Sequence, residues 1–171
     1  MTGHVRFAFI GGGFAGLVTG ARLVEAGVDD VCIIEKGGGF GGTWYWNRYP
    51  GAQCDTASMV YLPLLEETAH RPTEKYAHAP EILAQCQRIA SQYGLRDHAL
   101  FHTEVTAVDW DEATERWTVR STRGDAMQAR FVIMANPYRD MDEAIRSRVF
   151  RLLKDQRVTL VNMGQLGQDP R

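Results

Sequence analysis

The run Gly11-Gly12-Gly13-Phe14-Ala15-Gly16 stands between an apolar stretch, Val5 to Ile10, and a helix-like stretch, Leu17 to Glu25. No other feature constrains the fold as much. Gly11 permits a tight strand-to-helix turn. Gly13 lets a pyrophosphate approach the backbone without a Cβ in the way, and Gly16 lets helix and strand pack closely. Phe14 and Ala15 lie at the helix start, where free N–H groups face the phosphates. A second apolar run, Val31 to Ile34, ends at Glu35, which lies 35 − 16 = 19 residues past the last glycine of the motif. That is close to the roughly 20 residues expected for the acid that accepts hydrogen bonds from an adenosine ribose. Lys36 follows it at the same strand end. Residues 5 to 35 therefore read as a parallel βαβ unit cradling a dinucleotide.

Size and charge narrow the rest. A chain of 171 residues has room for one domain with a real core, but not for two nucleotide-binding domains. Nineteen basic against twenty-one acidic residues give a net charge of −2 with no block of one sign, which points to small-molecule ligands and away from nucleic acid or a membrane surface. No span reaches the roughly 20 apolar residues of a membrane helix. Cys32, Cys54 and Cys86 form no C-x-x-C pair and fit a reducing cytoplasm rather than a disulfide framework. His4, His70, His78, His98 and His102 show no metal-ligand spacing, so no metal site is read.

Beyond the βαβ unit, Lys36 to Asp55 is rich in Gly, Trp, Tyr and Asn without steady periodicity and reads as one long ordered loop, neither strand nor helix. Pro80 and Glu81 open a core-facing helix, Ile82 to Tyr93, with Gly94 as its stop. Phe101 to Trp110, Arg116 to Arg120 and Ala126 to Met134 read as three strands of a small antiparallel meander. The last of them is apolar enough at Phe131-Val132-Ile133-Met134 to enter the buried parallel sheet. The fold class is thus α/β, a Rossmann-like parallel sheet with a small antiparallel β-meander. Its domain is placed at residues 1–137. Residues 138–171 read as a stretch of undefined fold, in which Asp142 to Lys154 has the pattern of an amphipathic helix, Val158 to Val161 that of a short strand, and the remainder that of a plain tail.

Gly20 extends the first motif by one further small helix position, and the run from Gly41 to Asp55, Gly-Gly-Thr-Trp-Tyr-Trp-Asn-Arg-Tyr-Pro-Gly-Ala-Gln-Cys-Asp, follows the ribose-binding acid. This run resembles the corresponding segment of class B flavoprotein monooxygenases, and most of all the Baeyer–Villiger monooxygenases. Tyr61 to Glu67, Pro72 to Tyr76, the helix from Pro80 to Gly94 and Phe101 to Val105 are similar in order and spacing, so the resemblance covers about residues 5 to 135. It implies FAD as the bound cofactor, with NADPH and O₂ used by the full-length family to convert ketones into esters or lactones. A flat flavin ring needs aromatic walls and backbone donors. Trp44, Tyr45, Trp46 and Tyr49 are the candidate walls, Gly41 and Gly42 allow close approach, and Thr43 offers a hydroxyl.

By the same resemblance Asp55 lies beside the flavin and works with an arginine from later in the family's chain, which makes it the catalytic candidate. Tyr61, Val105 and Ala135 match cofactor-binding positions, Val105 through backbone near the adenine. The chain departs from the family pattern at Ala57, where a glutamate is usual, and at Met134-Ala135-Asn136-Pro137, where Ala-Thr-Gly is usual. It also lacks the F-x-G-x-x-x-H-x-x-x-W fingerprint, the second glycine motif that binds NADPH, and the substrate-pocket region. The expectation is the FAD-binding portion of such an enzyme, truncated and not catalytically complete alone. The alternative is a non-catalytic module that binds FAD or NAD, or a gene remnant.

Overall fold

The computed structural model describes residues 3–135. β1 (His4–Ile10) leads through a glycine turn into α1 (Phe14–Glu25) and returns as β2 (Val31–Ile34). Two one-turn helices, α2 (Thr43–Trp46) and α3 (Ser58–Tyr61), precede the long α4 (Ala79–Gln92). A 3-10 turn (Leu95–His98) then feeds β3 (Ala99–Leu100), β4 (Val105–Asp111), β5 (Arg116–Ser121) and β6 (Ala126–Met134). All six strands form one sheet in the order β3-β2-β1-β6-β5-β4.

The strands β3, β2, β1 and β6 run parallel, with Phe7 opposite Val31 on one side and Phe131 on the other. Strands β6, β5 and β4 run antiparallel. The last strand of the meander therefore does enter the parallel sheet, beside β1. Alternation along the strands feeds two cores. Phe9 and Ile33 face α1 and α4, packing with Leu17, Ala21, Cys86, Ile89 and Leu95. Their neighbours Ala8, Cys32 and Ile34 face the other way, against Trp117, Val119, Met127 and Ala129 of the meander. β2 is buried throughout and β1 from Ala8 onward is largely covered on both faces, which is why Phe7 to Ile10 and Val31 to Ile34 carry no charged residue, whereas His4 and Arg6 at the start of β1 are exposed. A third cluster, Trp44, Ala52, Cys54, Leu62, Ala77, Ala79 and Ile82, lies beneath the long loop.

Several boundaries differ from the sequence reading. α1 starts at Phe14, three residues before Leu17, because the glycine turn is itself the helix entry. The stretch from Lys36 to Asp55 is not wholly irregular, since Thr43–Trp46 makes a helical turn too short to show a 3.6-residue period. Phe101 lies outside both flanking strands. β3 ends at Leu100 and pairs in parallel with β2, while β4 starts only at Val105 and ends at Asp111. α4 starts at Ala79, with Pro80 in its first turn, and ends at Gln92 with Gly94 in the left-handed region at φ +62°. The helix at Asp142 to Lys154 and the strand at Val158 to Val161 lie outside the described residues, as does the division at residue 137. No helix among the described residues is long and apolar enough to cross a membrane.

Candidate functional site

The first parallel strands end side by side. Gly11 N–H donates to the Ile34 carbonyl at 2.9 Å, Ala135 N–H to the Ile10 carbonyl at 2.8 Å, and Glu35 N–H to the Leu100 carbonyl at 2.9 Å. Gly11, Glu35 and Ala135 thus share the carboxyl edge of the sheet, where the chain leaves β1 for β2 on one side and returns as β6 on the other. Open α/β sheets bind ligands at that crevice.

The glycines there answer to different demands. Gly11 has φ +111°, and a Cβ on it would stand 2.8 Å from the Ala135 carbonyl oxygen. A Cβ on Gly16 would run into the Gly11 carbonyl, so helix and strand touch through bare backbone. Gly13 differs from both. Its φ −80° and ψ −167° suit any residue, and a Cβ there would meet only the Gly42 Cα, at an ordinary 3.5 Å. Neither the fold's geometry nor its packing requires glycine at 13. Gly13 is also the N-cap of α1 and gives no side-chain cap, so the first N–H groups of the helix, on Phe14, Ala15 and Gly16, have no intrahelical acceptor.

Glu35 is buried. Its two carboxylate oxygens accept the Gly12 and Gly37 N–H groups, each at 2.6 Å. A carboxylate offers about four lone-pair sites, so each oxygen keeps one more for a ligand. Lys36 beside it is exposed.

The chain does contain a second run with the G-x-G-x-x-G spacing, Gly37-Gly38-Gly39-Phe40-Gly41-Gly42, contrary to the expectation of a single such motif. It does not form a second nucleotide domain, because it folds onto the first. Gly41 N–H donates to the Gly12 carbonyl at 3.0 Å. Gly42 has φ +52°, and a Cβ on it would come within 2.8 Å of the Gly13 Cα. The two glycine runs build one cradle.

The aromatic residues divide. Trp44 is buried in the third cluster and donates its indole N–H to the Tyr61 hydroxyl at 2.8 Å, so it packs the floor of the loop and does not stand free as a wall. Burial pushes the Tyr61 phenol pKa upward. Tyr45 is half-buried, accepts the Gly38 N–H at 2.9 Å on its hydroxyl, and carries the Arg48 guanidinium over its ring at 4.3 Å. Trp46 and Tyr49 are exposed, at 57% and 63%, and Thr43 is exposed. Asp55 faces solvent on the bend between Cys54 and α3, and its charge contributes to the field at Tyr61. Val105 starts β4 and packs against the meander-side core. Among the described residues no cluster of His, Cys, Asp or Glu could hold a metal. Sequence reasoning missed Ser58, which anchors the Asp55 bend. A lone serine carries no spacing signal.

The family model described as an NAD(P)-binding Rossmann-like domain matches residues 10–76. A Baeyer–Villiger monooxygenase of Stachybotrys chlorohalonatus is 53% identical over 126 residues, covering 74% of this chain and 20% of that protein. Among solved structures, the polycyclic ketone monooxygenase from Thermothelomyces thermophila superposes with a TM-score of 0.74 at 42% identity, over 78% of this chain and 23% of that one. OTEMO in complex with FAD and NADP superposes with a TM-score of 0.73 at 34% identity, over 78% of this chain and 26% of that one. The chain spans about a fifth to a quarter of the length of the relatives it matches. Over these residues the chain is similar in sequence and structure to the Rossmann-like segment of Baeyer–Villiger monooxygenases.

Proposed function

We propose that residues 3–135 bind FAD and are the flavin-holding segment of an NADPH-dependent monooxygenase that converts ketones into esters or lactones. The observation that carries this reading is Gly13, a glycine with no use inside the protein whose bare Cα borders the uncapped start of α1. A pyrophosphate lying over it accounts for the missing side chain. The uncapped N–H groups of Phe14, Ala15 and Gly16 would hold the phosphates, and the free lone pairs of Glu35 would take the ribose hydroxyls. A buried carboxylate at the ribose favours a free 2′-hydroxyl over a 2′-phosphate, hence FAD over NADPH at this cradle. Tyr45, Trp46 and Tyr49 would flank the flavin, with Gly41 and Gly42 letting its edge reach the backbone.

When bound, the flavin supplies the redox and oxygen chemistry. This chain's residues bind and orient it, and Asp55 sets a negative charge at its reactive face. Three buried free thiols fit a reducing compartment, the cytoplasm. One observation favours a second reading, a module that holds FAD without oxygenating a substrate: among the described residues Asp55 makes no ion pair with a cation that it could orient. The test is incubation of the purified chain with FAD followed by gel filtration. Near-stoichiometric yellow protein is expected, and colourless protein would refute both readings.

A further inference from the structure

Asp55 sits on a three-residue bend, Asp55-Thr56-Ala57, whose two ends are tied to one short stretch of chain just before α4. Upstream, Cys54 N–H donates to the Ala77 carbonyl at 3.0 Å, and Ala79 N–H donates to the Ala52 carbonyl at 2.8 Å. Gln53 forms an antiparallel bridge with His78 and donates its side-chain N–H to the Tyr76 carbonyl at 2.7 Å. Downstream, Ser58 N–H donates to the Lys75 carbonyl at 2.7 Å. The Ser58 hydroxyl accepts the Ala77 N–H at 2.8 Å and donates to the Lys75 carbonyl at 3.1 Å. Ala77 thus holds both ends of the bend, Cys54 through its carbonyl and Ser58 through its N–H. Besides that backbone bond, the downstream end is held by a hydroxyl that donates and accepts at once, and Ser58 is 2% exposed, so water has little access to substitute for it.

We propose that Ser58 is the positioning residue for Asp55, closing the bend against Ala77 so that the carboxylate is held at the flavin's reactive face. This rests on the FAD reading above. The family departure at Ala57 then leaves the bend supported, because the anchor is the residue after it. Ser58 itself touches neither substrate nor flavin. It acts through the backbone of residues 55–58.

Amide exchange on the flavin-free chain and flavin spectroscopy on the FAD-loaded chain test the proposal together. Ser58→Ala should speed exchange at the Ala77 amide roughly tenfold or more, since that buried N–H loses its acceptor. Ser58→Thr, which keeps the hydroxyl, should restore protection. In the loaded chain, Asp55→Asn should shift the flavin midpoint potential and visible band. Ser58→Ala should shift them the same way, Ser58→Thr should leave them near wild type, and Ser58→Ala should add nothing in the Asp55→Asn background. Additive shifts, or unchanged exchange at Ala77, would overturn the positioning role. A chain that takes up no flavin would refute the FAD reading. A flavin indifferent to Asp55→Asn would refute the placement of Asp55, and the proposal would fall with either.

Discussion

Replacing Gly13 with alanine separates what the fold needs from what a ligand needs. In the ligand-free chain the backbone at 13 has φ −80° and ψ −167°, which alanine adopts without strain, and the added Cβ would meet only the Gly42 Cα, at 3.5 Å. The folded state therefore has room for the methyl, while the unfolded chain loses backbone freedom. Stability should stay within about 1 kcal/mol of wild type, because the freedom lost by the unfolded chain is set against alanine's poorer fit at a helix N-cap. Binding should respond far more strongly. The methyl occupies the approach to the uncapped N–H groups of α1, and losing even one charge-assisted hydrogen bond to phosphate, worth about 1.5–3 kcal/mol, lowers affinity roughly tenfold to hundredfold. Urea denaturation of the apoprotein and fluorescence titration with FAD measure the two quantities on one sample. Unchanged affinity would mean that no pyrophosphate crosses Gly13. A stability loss above about 1 kcal/mol would mean that the turn is tighter than described and that the argument from an unneeded glycine fails.

Two further predictions concern buried groups. Glu35→Gln keeps one acceptor oxygen, so either Gly12 or Gly37 loses its partner; the apoprotein should lose about 1–3 kcal/mol in urea melts and FAD should bind at least roughly tenfold more weakly. Wild-type behaviour in both assays would remove Glu35 from the site. Burial pushes the Cys32 thiol up to about 11 and the Cys86 thiol up to about 12 from an ordinary 9.0, so their contribution to stability is fully present below pH 9. It is lost as the pH rises from 9 through the folded values, because the unfolded thiols ionise first, at up to about 1.4 kcal/mol per pH unit for each thiol. Urea melts from pH 8 to 10.5 should therefore show a steeper fall for wild type than for Cys86→Ala, and equal slopes would contradict the burial of that thiol.

The parts of this fold that repeat a pattern were legible in the sequence. Phe7 to Ile10 and Val31 to Ile34 are apolar without alternation because both faces of the sheet are covered there, and the glycines between them mark a turn that few other backbones make. Glu35 could be placed by counting. The meander was legible from its two turn sequences, Asp111-Glu112-Ala113-Thr114 and Arg123-Gly124-Asp125. What stayed hidden was short or long-range. Two residues of β3 and four each of α2 and α3 are below any period. Trp44 meets Tyr61, and Ser58 meets Lys75 and Ala77, at separations that no local rule predicts. The run from Gly37 to Gly42 looked like loop composition, and only the structure shows that it packs against Gly12 and Gly13.

Calorimetric titration of the chain with FAD, followed by competition with ADP, tests the central claim most directly. ADP carries the ribose and pyrophosphate that Glu35 and the start of α1 would hold, but no flavin. The account predicts saturable binding of one FAD per chain, displaced by ADP at higher concentration, with flavin mononucleotide failing to displace it. FAD heats that do not saturate, or FAD binding indifferent to ADP, would contradict the assignment of the glycine cradle as a dinucleotide site.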